Sequence, residues 1–211
     1  MAFDHFGSAV AARGPTVLVG APSKNILTGE VYVFSRSNNS WNQTQTLIAD
    51  DSDSFDEFGA SLALDRVTAL VGAPHATANG HGAQGAAYVF AISGGTLTQT
   101  QKITSNDGAS NDGFGSTVAL TETAAWHRAL IGAPDAQVGR NSQQGKAYVF
   151  HEMDGNWEQA GRIIASDGAT GDFFGFAVAL DRDTALVGAS PATLPHTGAA
   201  YFYAASGDNL P

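Results

Sequence analysis

The sequence contains no cysteine among its 211 residues. Disulfide bonds and thiolate metal sites are therefore excluded. The chain also lacks an apolar run of about 20 residues, the length that a membrane-spanning helix requires. Its first residues, Met1 to His5, contain no apolar stretch of the length found in signal peptides. We therefore expect no membrane insertion of this chain.

Positive charge is scarce, with 10 Lys and Arg against 20 Asp and Glu, which gives a net charge of −10. Such a chain repels nucleic acid and anionic membrane surfaces at neutral pH, so a nucleic-acid partner is disfavoured. Catalytic motifs are missing too. The sequence has no Gly-x-Ser-x-Gly nucleophile elbow, no Gly-x-x-x-x-Gly-Lys phosphate loop and no His-Glu-x-x-His pair. These absences favour a non-enzymatic role.

What the sequence does contain is one motif repeated four times. Each copy begins with Phe-Gly, continues through small apolar residues to Gly-Ala-Pro or a close variant, and then reaches a glycine followed by an aromatic strand. The Phe-Gly pairs stand at residues 6–7, 58–59, 114–115 and 174–175, and the aromatic triplets at residues 32–34, 88–90, 148–150 and 201–203. Repeats with a period of about 50 to 60 residues indicate a solenoid, a propeller or an array.

The composition of each repeat predicts short antiparallel strands. Two apolar runs around a tight polar turn are followed by the aromatic strand, and then by a polar strand that suits a solvated outer edge. Four strands of graded polarity describe the blade of an all-β propeller. We expect one propeller or partial-propeller domain over residues 1–211, with repeats at 6–57, 58–113, 114–173 and 174–211. The last repeat lacks its outer strand.

These motifs resemble the FG-GAP repeats of integrin α-subunit propellers, and they are closer still to the bacterial-type FG-GAP proteins. The resemblance covers nearly the whole chain. It implies a β-propeller at the cell surface or outside the cell, with a role in adhesion or binding. Integrin repeats hold calcium in an Asp-x-Asp-x-Asp-Gly loop between Phe-Gly and Gly-Ala-Pro. This chain has only tight turns there, at Asp65-Arg66 and Asp181-Arg182-Asp183.

Aspartate recurs ahead of each Phe-Gly pair, in the connections between predicted blades. Two interpretations stay open. Carboxylates spaced by Gly and Asn can surround calcium, the one candidate cofactor, or each can accept backbone N–H groups and fix a turn. The candidate metal residues are Asp51, Asp53, Asp56, Asp107, Asp112, Asp167 and Asp172. The connection of residues 50–57 is the most acidic of these.

Variable loops on one propeller face are the candidate ligand site. The connections between blades and the loops after the second strands share a face, and only the loops differ from repeat to repeat. The candidate ligand residues there are His75, His81, Asp135, Arg140 and His196. Trp126 lies in a four-residue insertion on the opposite face. Its side chain either contacts a partner or folds back over its own hairpin.

Three functions follow from these features. The leading hypothesis is a binding, adhesion or structural module that presents loops to a protein or glycan, with or without calcium. The second is a carbohydrate-active enzyme, a lyase or glycosidase, with its site in the axial depression. The third is a propeller fragment that self-assembles as a homo-oligomer or forms part of a larger propeller, because an unfinished last blade leaves a β edge open for pairing.

Overall fold

The chain folds into four antiparallel β-sheets, one for each repeat, in a computed structural model that describes residues 3–122, 126–191 and 197–204. Blade 1 contains β1 (Val10–Arg13), β2 (Thr16–Ala21), β3 (Glu30–Ser37) and β4 (Ser40–Leu47). Between β2 and β3 lies one short turn, α1 (Lys24–Leu27), in which Asn25, Ile26 and Leu27 have positive φ. Blade 2 contains β5 (Ser61–Leu64), β6 (Thr68–Ala73), β7 (Ala86–Ser93) and β8 (Thr96–Ile103). In both sheets the strands pair in chain order.

Blades 3 and 4 repeat this arrangement. Blade 3 contains β9 (Thr117–Glu122), β10 (His127–Ala133), β11 (Lys146–Met153) and β12 (Asn156–Ile163). Blade 4 contains β13 (Phe174–Asp181), β14 (Thr184–Ala189) and β15 (Ala199–Ala204). Over the described part of the chain, blade 4 therefore has three strands, and the predicted β-propeller blades with a shortened last blade are confirmed. No described helix is long and apolar enough to cross a membrane.

The hydrophobic core is divided into three parts, and each part lies between two successive blades. A phenylalanine of a Phe-Gly pair is fully buried in each part: Phe58 between blades 1 and 2, Phe114 between blades 2 and 3, and Phe174 between blades 3 and 4. Each of these rings packs edge-to-face on the tyrosine of its own blade's third strand. The Phe-Gly motif thus supplies the packing centre of every interblade contact.

A β-bulge occurs at the same place in each complete blade, between the third and fourth strands. A bulge bends the strand and re-aims the side chains beside it. In β4 and β8 the glutamine beside the bulge reaches the outer strand of the next blade. Gln45 forms two hydrogen bonds with the backbone of Leu97, of 2.7 and 3.0 Å, and Gln101 forms two with Trp157, both of 2.8 Å. These pairs fasten the rims of blades 1, 2 and 3 together.

Candidate functional site

The loops after the second strands and the interblade connections meet on one face of the molecule, here called the loop face. It comprises the loops 22–29, 74–85 and 134–145 and the connections 48–60, 104–116 and 164–173. Backbone hydrogen bonds join the two sets: the N–H groups of Phe58, Phe114 and Phe174 donate to carbonyl groups in the loop of the preceding blade, at 2.8–3.0 Å. Each Phe-Gly pair therefore connects the loop face to the core beneath it.

An aspartate seven residues before the phenylalanine of each Phe-Gly pair in blades 2 to 4 accepts a hydrogen bond from the blade that follows. The hydroxyl groups of Tyr88, Tyr148 and Tyr201 donate to these aspartates, at distances of 2.9, 2.9 and 3.0 Å. The three acceptors are Asp51, Asp107 and Asp167. Burial, reinforced by this hydrogen bond, raises the pKa of all three tyrosines, and the pKa of Tyr201 reaches about 12. The tyrosines therefore remain neutral donors at physiological pH.

Cations add to this contact in two of the connections. Lys102 donates to Asp51 at 2.6 Å, and Asp107 accepts hydrogen bonds from Lys146 and Arg162. Partial burial by itself raises the pKa of a carboxyl group, but here the hydrogen bonds and nearby positive charges outweigh burial and lower the pKa of both aspartates. Asp51 and Asp107 are therefore ionised anchors for the blade that follows them.

The aspartate two residues before the phenylalanine of each Phe-Gly pair in blades 2 to 4 closes a local turn. Asp56, Asp112 and Asp172 each accept a hydrogen bond from the backbone N–H three residues earlier, at 2.6–2.9 Å. Burial raises the pKa of Asp56 and Asp112, since those two carboxyl groups are almost fully covered. Asp53 is exposed and accepts the backbone N–H of Ser54 at 2.7 Å. Turn formation thus occupies these side chains.

The connection aspartates do not form a compact calcium cage. Calcium takes six to eight oxygen ligands around one centre. Within the described residues, the one group of three or more Asp, Glu or His side chains with ligand atoms inside 4.8 Å lies elsewhere, at Asp65, Glu122 and His127. The geometry of the connections fits the turn-bracing interpretation. Calcium binding there remains a prediction.

The candidate ligand residues are distributed over the loop face rather than gathered at one point. His75 stands at the start of its loop, and its Nδ1 lies 3.2 Å from a carboxylate oxygen of Glu57. Asp135 holds the equivalent place in blade 3 and accepts a 2.9 Å hydrogen bond from Gln143. His81 and Arg140 are exposed at the tips of these two loops. His196 lies outside the described residues.

The His75–Glu57 pair has the clearest electrostatic effect of these groups. The hydrogen bond that His75 donates to Glu57 raises the pKa of His75, partial burial opposes the change, and the charges of Asp135 and Asp56 add to the increase. A raised pKa places more positive charge on His75 near neutral pH. The loop face therefore offers a titratable cation within an acidic surface, a feature suited to contact with a polar ligand.

Trp126 lies on the opposite face, called here the hairpin face, where the turns between first and second strands are found. Its ring stacks on the Arg128 guanidinium, with a distance of 4.0 Å to the ring centroid. Arg128 is almost fully buried and extends to blade 4, where it donates to the carbonyl group of Arg182 and pairs with Asp183. The tryptophan thus folds back over its own hairpin and covers an interblade arginine.

An ion network on the hairpin face was not predicted from the sequence. Glu122 of blade 3 pairs with Arg13 of blade 1 and Arg66 of blade 2, at 3.2 and 3.7 Å. Beside it His127 lies 3.4 Å from Asp65, whose other oxygen accepts two backbone N–H groups. Since two arginines already neutralise Glu122, the group joins three blades rather than forming an open cation site. The sequence contained one indication of this network, a charged residue in or beside each turn between the first and second strands.

Comparison with known proteins agrees with this architecture. No curated protein matches the chain. The family model described as FG-GAP repeat matches four segments, residues 1–34, 41–90, 97–150 and 157–203. Together these segments cover most of the sequence. The first ends within β3, and each of the other three runs from the fourth strand of one blade through the three inner strands of the next. With a matching family model on every blade, the chain belongs to the FG-GAP repeat family.

Proposed function

We propose that the protein is a non-enzymatic binding module that presents the loop face to a protein or a glycan outside the cell or at its surface. One observation carries this proposal. The contacts that hold the blades recur from repeat to repeat, whereas the loops of residues 22–29, 74–85 and 134–145 differ in sequence, and the first is shorter than the other two. A rigid scaffold under variable loops is the usual design of a recognition surface.

The environment of the carboxylates supports binding over catalysis. A general acid or base needs a carboxyl group that is free to exchange a proton with a substrate. In the connections, Asp51 and Asp107 accept hydrogen bonds from tyrosine and cationic side chains, and Asp56 and Asp112 accept backbone N–H groups. These groups stabilise the fold. A carbohydrate-active enzyme is the competing hypothesis, and release of sugar products distinguishes it from a binding module.

The charge of the chain narrows the choice of ligand. A net charge of −10 disfavours anionic polysaccharides and favours neutral or basic partners. The exposed groups of the loop face include both carboxylates and the cations His75 and Arg140. Calcium is the cation to test, because the connection of residues 50–57 carries the densest group of carboxylates.

The experiment measures binding of the wild-type chain to immobilised neutral and amino-sugar polysaccharides and to a panel of neutral and basic proteins. Each measurement is made with calcium and with a chelator. We expect saturable binding without release of sugar products. In a ligand-positive assay, Arg140→Ala should weaken binding about tenfold, or 1.4 kcal/mol. The matched control is Arg36→Ala, which removes an exposed arginine at the far end of β3.

The outcomes are distinct. Turnover of a polysaccharide would support the enzyme instead of the module. Equal loss of binding in Arg140→Ala and Arg36→Ala would show that the loop face is not the contact surface. Absence of saturable binding to every probe would overturn the proposal for these two ligand classes.

A further inference from the structure

The contact between successive blades is built in the same way three times within the chain. On one side a blade contributes its Phe-Gly pair, and on the other side the preceding blade contributes a glycine of its second strand. Gly20, Gly72 and Gly132 are so close to the next blade that an added Cβ would overlap a backbone carbonyl oxygen. The overlapping carbonyl groups belong to Gly59, Gly115 and Gly175.

A hydrogen bond and a buried ring complete each contact. The N–H of the phenylalanine donates to the residue just before a loop glycine of the preceding blade, as in Phe114 to the Gln84 carbonyl group at 2.8 Å. The rings of Phe58, Phe114 and Phe174 are fully buried as a result. One blade thus has a donor half, the Phe-Gly pair, and an acceptor half, the second-strand glycine with its loop.

The donor half of blade 1 is exposed among the described residues. Phe6 makes the same edge-to-face contact with its own blade's tyrosine, Tyr32, at 5.3 Å between ring centroids. Its side chain is nevertheless 57% exposed, and a Cβ on Gly7 would meet no atom within 4 Å. The half of the contact that comes from a preceding blade is therefore open.

Among the described residues of blade 4, the complementary second-strand glycine is also open. Gly188 corresponds to Gly20, Gly72 and Gly132, but the nearest described atoms to an added Cβ belong to Ala177 of its own sheet, at 3.4 Å or more. Apolar side chains on this blade are exposed as well: Phe176 is 56% and Phe202 is 76% exposed. A monomer thus carries both halves of the same interface at its two ends.

We propose that the occupant of these two faces is a second copy of this chain, which docks blade 1 on blade 4 in a head-to-tail contact. In this contact the Phe6 N–H donates to the Thr197 carbonyl group of the partner copy, and Gly7 lies against Gly188. The three internal interfaces supply the geometry, since every joining element is a repeat of the same sequence. Two such contacts close two copies into a ring of eight blades.

The contacts between the fourth strands of successive blades are consistent with docking of blade 4 through its three inner strands. Gln45 and Gln101 fasten their blades to the fourth strand of the next blade. The corresponding position in β12 is Gly161, and blade 4, which it faces, shows no fourth strand over its described residues. β12 thus has no glutamine at the position that faces blade 4, whose described residues form three strands. Blade 4 is shaped to pack through β13, β14 and β15.

The first test compares two Gly→Ala substitutions by mass measurement in solution over a range of protein concentrations. The wild type is expected at twice the 21.7 kDa of the chain. Gly188→Ala fits the free chain but places a methyl group where the partner's Gly7 must approach, so the variant is expected to be monomeric. Gly161→Ala is the matched control, because its Cβ meets open space. We expect it to assemble as the wild type does.

A second pair of variants tests the donor half. Phe6→Ser removes the exposed ring that enters the interface and is expected to shift the assembly midpoint to at least tenfold higher concentration. Phe55→Ser removes a ring of similar exposure, 59%, from an interblade connection and should leave the midpoint unchanged. Circular dichroism establishes that each variant is folded.

Specific outcomes would overturn the inference. A wild type that stays monomeric at its highest soluble concentration shows that the open faces take another occupant, such as further blades of a longer polypeptide. An assembly that survives both Gly188→Ala and Phe6→Ser uses another surface. Ligand binding by the loop face is measured separately on the monomeric variants, so failure of assembly and failure of the proposed function are distinguishable.

Discussion

Four aspartates of the interblade connections, Asp51, Asp56, Asp107 and Asp112, have pKa values that are shifted in opposite directions by burial and by their partners. Asp51 and Asp107 hold cationic and tyrosine donors, and the pKa of each is lowered. Asp56 and Asp112 are buried with backbone donors, and the pKa of each is raised. Residues that look equivalent in the sequence thus differ in acidity because one faces the next blade and the other closes a turn.

The His75–Glu57 pair gives a prediction at the same scale. Removing the carboxylate in Glu57→Gln should lower the pKa of His75, because the hydrogen bond that His75 donates to Glu57 is the largest cause of its increase. The measurement is the titration of the His75 ring signals by NMR. The control is Glu30→Gln, which changes a carboxylate of blade 1 that accepts from Asn25 and Tyr32. An unchanged His75 midpoint in Glu57→Gln would contradict the predicted pair.

The sign of the linked stability follows from the raised pKa. A histidine whose pKa is higher in the folded state binds its proton more tightly when folded. The contribution of the pair to the free energy of unfolding is therefore fully present below the unfolded pKa of 6.5. It is lost as the pH rises through the folded pKa. The pH dependence of unfolding in Glu57→Gln should be flatter over this interval.

Beside the buried phenylalanine rings, close backbone approach joins the strands of successive blades. Gly132 of β10 lies against Gly175 of β13, and Gly72 of β6 lies against Gly115 in the connection that precedes β9. Glycine in a strand interior usually weakens the strand, and it is tolerated where another backbone must come near. The small residues of the motif thus set the distance between sheets.

This close approach predicts the effect of adding one methyl group. Gly132→Ala should lower the free energy of unfolding by about 1–3 kcal/mol, because the Cβ overlaps the Gly175 carbonyl oxygen and the Thr117 hydroxyl group. Chemical denaturation measures the change. Gly161→Ala, in open space on β12, should be neutral or slightly stabilising, by up to about 1 kcal/mol. Equal effects at the two positions would show that the sheets do not approach so closely.

The whole molecule is a stack in which each blade contacts its neighbours in the chain, joined further by the ion network of the hairpin face. In such repeat architectures stability is roughly a sum of the blades and of the interfaces between neighbours. Blades 2 and 3 have an interface on both sides, whereas blade 4 has one. In the free chain, blade 4 should therefore unfold locally before blades 2 and 3 do.

Hydrogen exchange tests this expectation with an internal control. The strands β6 (Thr68–Ala73) and β14 (Thr184–Ala189) have the same six residues, so their intrinsic exchange rates are closely matched. At a concentration where the chain is a monomer, the amides of β14 should exchange faster than those of β6, through a lower free energy of opening. Equal protection in the two strands would mean that the four blades unfold as one unit.

Repetition in the sequence was enough to predict the blades, their strand number and the shared face of loops and connections. Spacing between Phe-Gly and Gly-Ala-Pro is a local property, and local patterns determine strands and turns. The ion network of Arg13, Glu122 and Arg66 could not be predicted in this way. Its members come from three repeats, and only the stacking of blades brings their hairpins together.

The segment Thr-Ala-Leu-Val-Gly-Ala occurs twice, as β6 and as β14, and comparing the two copies distinguishes what the sequence determined from what the tertiary structure determined. The sequence by itself made both copies second strands, because small and β-branched residues between turn formers favour extended backbone. Tertiary structure decided that all six residues of β6 are buried while β14 remains partly open. The physical reason is that burial depends on the neighbouring sheet. Blade 2 is covered on both faces, and blade 4 on one.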